Sequence, residues 1–99
     1  MSELHRQHIK IWTKNTVNIT TSSTLIVPEN LRRKYLLITN GSTQPIFMWF
    51  SNPAVVDEGI QLYDLGWGYE IDHKNLWLGP LYGIHNGSGN KKVFVVEGF

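Results

Sequence analysis

The 99-residue sequence contains no cysteine. That excludes a disulfide framework and any Cys-based metal site, and it suits a chain folded in a reducing compartment. No apolar run approaches the roughly 18 residues that suggest a membrane-spanning helix. The opening SELHRQHIK is polar and lacks the apolar core of a signal peptide, so neither a leader nor a membrane partner is expected. Neither charge dominates: nine basic and eight acidic residues leave a formal net charge of +1. A phosphate-backbone binder needs a basic patch, so nucleic acid is not an expected partner. No stretch carries a helical apolar stripe of roughly 3.6-residue period.

Aromatic residues are abundant instead: four Trp, four Tyr and four Phe, 12% of the chain. Each can bury a large area in a core or an interface. They fall in short apolar runs separated by turn residues. Tyr35–Thr39 and Ile46–Phe50 flank Asn40-Gly41-Ser42-Thr43-Gln44-Pro45 and read as a β-hairpin, with Gly41 supplying a positive φ. Leu81–His85 and Lys92–Glu97 read as a second hairpin around a glycine-rich loop. Val17 and Ile19 alternate with polar residues, and Leu25-Ile26-Val27 is stopped by Pro28. Ile60-Gln61-Leu62, Tyr69–Asp72 and Leu76-Trp77-Leu78 complete the series. Gly66 and Gly68 are spaced for positive φ or for close backbone approach.

About eight short strands with regular turn signals predict an all-β fold. The expected architecture is a small antiparallel β-sandwich, jelly-roll-like or Ig-like. Residues 1–12 form an extended N-terminal arm, and residues 13–99 form one domain. Several strands are apolar on both parities: Phe47 and Trp49 oppose Ile46 and Met48, and Phe94 and Val96 oppose Val93 and Val95. A sandwich buries one face of each sheet, so the other apolar face calls for a cover, and a partner is the expected one.

Chemistry is sparse. His5 and His8 with Glu3 lie on a polar terminus and make a weak metal set, so no metal is expected. His73 sits in a predicted turn beside Asp72 and Lys74, and His85 ends a strand as a surface or interface histidine. No serine lies in a nucleophile elbow, and Gly66-Trp67-Gly68 lacks the lysine and helix of a phosphate loop. No catalytic residue, cofactor or enzymatic activity is expected. Asn-X-Ser/Thr sequons occur at Asn18, Asn40 and Asn86.

The succession RRKYLLITNGSTQPIFMWF, Gly-Ile-Gln-Leu, Tyr-Glu-Ile-Asp, Gly-Pro-Leu-Tyr-Gly-Ile and Val-Phe-Val-Val-Glu-Gly resembles the small β-sandwich virion proteins of tailed bacteriophages. These are the capsid decoration or cement type and related head and fibre-base modules. The resemblance covers Arg32–Phe99. It implies a non-enzymatic structural protein, made in a host bacterial cytoplasm and placed on the capsid surface. Its implied partners are the major capsid protein or other virion proteins, with a homo-oligomer, often a trimer. Expected contact residues are Ile9, Ile11 and Trp12 in the arm, and Trp67 and Trp77 on loops or edges. The alternative is a carbohydrate- or receptor-binding module, on a phage fibre or attached to an enzyme, stacking sugars on Trp49, Trp67 or Tyr69.

Overall fold

The computed structural model describes residues 9–99. The expectations placed on Glu3, His5 and His8 lie outside the described residues. Eight strands follow in order: β1 (Trp12–Ile19), β2 (Thr24–Val27), β3 (Tyr35–Asn40), β4 (Ile46–Trp49), β5 (Ile60–Leu62), β6 (Gly68–Ile71), β7 (Leu81–Ile84) and β8 (Lys91–Gly98). They form two four-stranded sheets, β1-β8-β3-β6 and β2-β7-β4-β5, with every pairing antiparallel. Every connection except β4–β5 crosses from one sheet to the other. That is the order of an eight-stranded jelly roll, and the expected all-β sandwich is present.

The strands form where apolar and polar residues alternate, because successive side chains point to opposite faces. Leu36 and Ile38 of β3, Val93 and Val95 of β8, and Ile46 and Met48 of β4 point inward and build the core with Ile19, Leu62, Ile71 and Leu81. Val17, Ile60 and Tyr69 pack against its margin.

Two expected hairpins do not form. β3 lies between β8 and β6, so both of its hydrogen-bonding edges are used. The segment after Asn40 therefore carries the chain across to the other sheet, where β4 pairs with β5 and β7. The glycine-rich segment after β7 crosses for the same reason: β7 sits between β2 and β4, and β8 between β1 and β3. Gly41 is not among the positive-φ glycines, which are Gly59, Gly66 and Gly89. Its requirement is space, since a Cβ there would lie 2.3 Å from Cε2 of Phe94. Gly66 and Gly68 divide the two expected roles. Gly66 has φ of 93°, and a Cβ on Gly68 would lie 2.9 Å from Cγ2 of Thr39.

Leu76–Leu78 is not a strand but part of the β6–β7 connection. The described end of the expected arm joins the domain. Trp12 belongs to β1, and Ile11 exchanges two backbone hydrogen bonds with Phe99, at 2.9 Å each.

Candidate interaction surfaces

Register decides what each sheet shows to the outside, because directly paired residues share a face. On the β1-β8-β3-β6 sheet, one outward row is Lys14–Val96–Leu37–Glu70. The next is Thr16–Phe94–Thr39–Gly68, and a third runs Trp12–Gly98–Tyr35. Phe94 is 44% exposed in the middle of this face, on an interior strand, with its ring laid over Gly41. Leu37 and Val96 are half-buried beside it. Trp12 is 55% exposed. It crosses Gly98 and meets Tyr35 edge-on, with ring centroids 5.6 Å apart. Ile9 also lies over Gly98, where a Cβ would be 2.9 Å from its Cγ2.

The β2-β7-β4-β5 sheet shows an outward row Leu25–Tyr82–Trp49. Trp49 is 42% exposed, again on an interior strand. Its ring begins an aromatic chain, Trp49 to Phe50 at 5.2 Å and Phe50 to Trp77 at 5.3 Å between centroids. Trp77 is pinned by donating from Nε1 to the Pro80 carbonyl at 3.0 Å. Trp49 also lines an open cleft of about 320 Å³ with Pro53, Val55, Glu58 and Gly59.

At the end of the sandwich where β5 passes to β6, Tyr63 and Trp67 meet edge-on at 5.1 Å, both exposed. Between them Leu65 is 65% exposed and has φ of 34°, a left-handed conformation that branched residues seldom adopt. Its backbone N–H donates to the Ser42 carbonyl, and the Gly66 N–H donates to that of Asn40. Beneath this loop Asn40 is fully buried. Its Nδ2 donates to the carbonyls of Gln44, Leu62 and Tyr63 at 2.8, 3.1 and 2.8 Å, and its Oδ1 accepts from the N–H and hydroxyl of Ser42. The amide of the Asn40 sequon is thus fully engaged in the folded chain.

His85 is buried rather than at the surface. Its Nδ1 accepts from the Gly87 N–H at 3.0 Å. Nε2 thus carries the proton and donates to the Gly89 carbonyl at 2.8 Å. Its two nitrogens serve the loop, which explains why it does not face outward. His73 lies in the turn after β6, as expected, where Asp72 Oδ1 accepts from the Lys74 N–H.

The opposite end is held by Arg33, whose side chain is fully buried. Nε donates to Glu97 Oε2 at 2.7 Å, Nη1 to the Trp77 and Gly79 carbonyls, and Nη2 to the Pro28 carbonyl. Four groups from three segments converge on one guanidinium, whose planar fork of donors suits this geometry. Among the described residues, no three His, Asp or Glu side chains gather at metal-binding distance.

The expected contact residues do not form one patch. Ile11, Trp12, Trp67 and Trp77 are exposed, but Trp67 belongs to the β5–β6 tip while Trp12 and Trp77 lie toward the other end. Ile9 is half-buried on Gly98. Sequence reasoning passed over Phe94, the most central exposed ring, because alternation alone does not tell the inward parity from the outward one. It also missed Arg33, Glu97 and Asn40. The one available signal was Glu97 at the end of the apolar run Val93–Val96.

Compared with protein-family models, curated proteins and solved structures, the chain matches none. The likeness to phage virion proteins therefore rests on the sequence pattern alone.

Proposed function

We propose that this chain is a non-catalytic adhesive domain that binds other protein surfaces through its outward sheet faces. In its specific form the proposal is a decoration or cement protein of a phage head, seated on assembled major capsid protein. One observation carries it. An interior strand of each sheet presents a half-exposed aromatic ring outward, Phe94 on β8 and Trp49 on β4. Outward apolar rings on interior strands, Phe94 in mid-strand and Trp49 at the end of β4, are the pattern of a protein-binding patch. A domain that binds only the assembled lattice stabilises it by mass action, and many copies repeat the effect around a shell.

The test mixes purified protein with undecorated shells and measures occupancy and the temperature of shell opening. Saturable occupancy with a raised opening temperature is expected. Neither binding nor a shift overturns the reading.

The carbohydrate-binding alternative draws on the exposed rings of Trp49 and Trp67. It is weaker on geometry. Tyr69 is half-buried against the core, Trp49 and Trp67 stand at opposite ends of the sandwich, and Trp67 meets Tyr63 at 68° rather than in a common plane. A saturable sugar response in Trp fluorescence, lost in Trp67→Ala, would reverse the ranking.

A further inference from the structure

We propose that the cleft beside Trp49 receives one arginine side chain of a partner protein, its guanidinium laid on the indole ring and paired with the Glu58 carboxylate. This deepens the adhesive reading and rests on it.

Both walls of the cleft are fixed. One is β4, whose last residue, Trp49, turns its ring outward. The other is the segment 51–59, which leads from β4 to β5. That segment is fastened to the sandwich. Ala54 is buried, and its N–H donates to Ser23 Oγ at 2.8 Å. The Glu58 N–H donates to the Val55 carbonyl at 3.1 Å and closes a turn. Gly59, with φ of 83°, then lies against β4 itself. A Cβ there would stand 2.6 Å from the Met48 carbonyl oxygen and 3.0 Å from Cε3 of Trp49. Gly59 and Phe50 together hold the indole in place before a ligand arrives, which lowers the ordering cost of binding.

Size limits the occupant. A volume of about 320 Å³ lies at the bottom of the roughly 300–1,000 Å³ range of ligand sites. It admits one side chain reaching in from outside rather than a whole cofactor.

Charge sets its sign. Trp49, Pro53 and Val55 make the cleft apolar, and Glu58 is the one charged residue lining it. Glu58 is exposed, and among the described residues no Lys or Arg pairs with it. No strand of the β2-β7-β4-β5 sheet contains a basic residue. The basic strand residues are Lys14, Lys91 and Lys92, all on the other sheet. Asp57 adds a second exposed carboxylate beside Glu58. The complement of this cleft is therefore a cation from another molecule.

An aromatic face beside an unpaired carboxylate attracts a cation in two ways, through the ring quadrupole and through a charge-assisted hydrogen bond. Arginine uses both at once. Its planar guanidinium stacks on an aromatic face while its N–H groups donate in the plane to a carboxylate. Lysine, a compact and strongly hydrated charge, gains less.

The test titrates the isotope-labelled chain with Nα-acetyl-arginine methylamide and follows its NMR spectrum. Saturable shifts are expected at the Trp49 indole N–H and at the backbone amides of residues 55–59. The citrulline analogue, alike in shape but uncharged, should give none. Glu58→Gln and Trp49→Ala should each weaken binding by about fivefold. No saturable shift, or equal shifts with the citrulline analogue, overturns the proposal. So does binding indifferent to Glu58→Gln, a substitution at an exposed side chain. Equal binding of the acetyl-lysine analogue overturns the choice of guanidinium. Shell binding is measured separately on the same variants. Arginine binding by a chain that ignores shells would leave the cleft site standing and sink the functional reading. Shell binding undiminished by Glu58→Gln would do the reverse.

Discussion

Arg33 and Glu97, 64 residues apart in the chain, meet at 2.7 Å between Nε and Oε2 with almost no access to water. The pair ties the start of β3 to the end of β8, and the other guanidinium nitrogens draw the Pro28 and Trp77–Gly79 loops onto the same point. Asn30 adds a bond from Nδ2 to the same carboxylate oxygen at 3.2 Å. Two buried charges contribute little net stability as a pair, because desolvation opposes their attraction. Losing one of them leaves the other uncompensated.

Glu97→Ala should therefore destabilise the fold by about 3–5 kcal/mol. Urea unfolding measures it, through a lower midpoint at an unchanged slope. A loss below about 1 kcal/mol would show that water reaches Arg33 and that the clamp is not closed in solution.

Asn40 offers a second test, because its amide works in both directions. Asn40→Asp keeps size and shape and still accepts from Ser42, but it has no N–H for the carbonyls of Gln44, Leu62 and Tyr63. Buried acceptors without donors should cost on the order of 3 kcal/mol in total. Amide exchange should rise in the loops on either side of β5, and in the β3–β4 crossover, before it rises elsewhere. Uniform loosening of the whole domain would contradict a local role.

Gly41 and Phe94 should be coupled. A methyl group at position 41 enters the space of the Phe94 ring, which must swing away. Gly41→Ala should cost about 1–2 kcal/mol alone and much less in a Phe94→Ala background. A double-mutant cycle measures the interaction energy. Additive losses would mean that the ring does not lie over the glycine.

Leu65 is strained and exposed, so the fold gains little from its side chain. Asparagine tolerates the left-handed region and is common in turns. Leu65→Asn should raise stability by about 0.5–1 kcal/mol, read as a higher thermal midpoint. A lower midpoint would show that the side chain packs in solution. If the tip is part of the adhesive surface, the more stable variant should bind shells less well.

Most of the strand content was legible from the residues alone. Val93 and Val95 alternate with Phe94 and Val96, and only one parity can face a core, so a sheet with two greasy sides follows directly. Glycine pairs and Asn-Gly steps located the chain reversals at 40–45 and 85–90. They did not say where the chain goes next. A turn signal is local, whereas pairing depends on whether a neighbour's edge is still free, and β3 and β7 have both edges occupied.

The candidate surface was legible in kind but not in place. An excess of outward apolar residues is a property of composition and period, and it holds for any sandwich made from these strands. Which rings share a face, and whether Lys14 and Glu70 stand at opposite ends of one row, depends on register across four strands. By itself the sequence determined that this is an all-β chain with more apolar sheet surface than one sandwich hides, because side-chain alternation is a property of the strand. Only the tertiary structure decided that Arg33 meets Glu97, that Asn40 is buried and that Phe94 lies outward at the centre of a face. Those relationships join residues far apart in the chain, and long-range pairing alone brings them together.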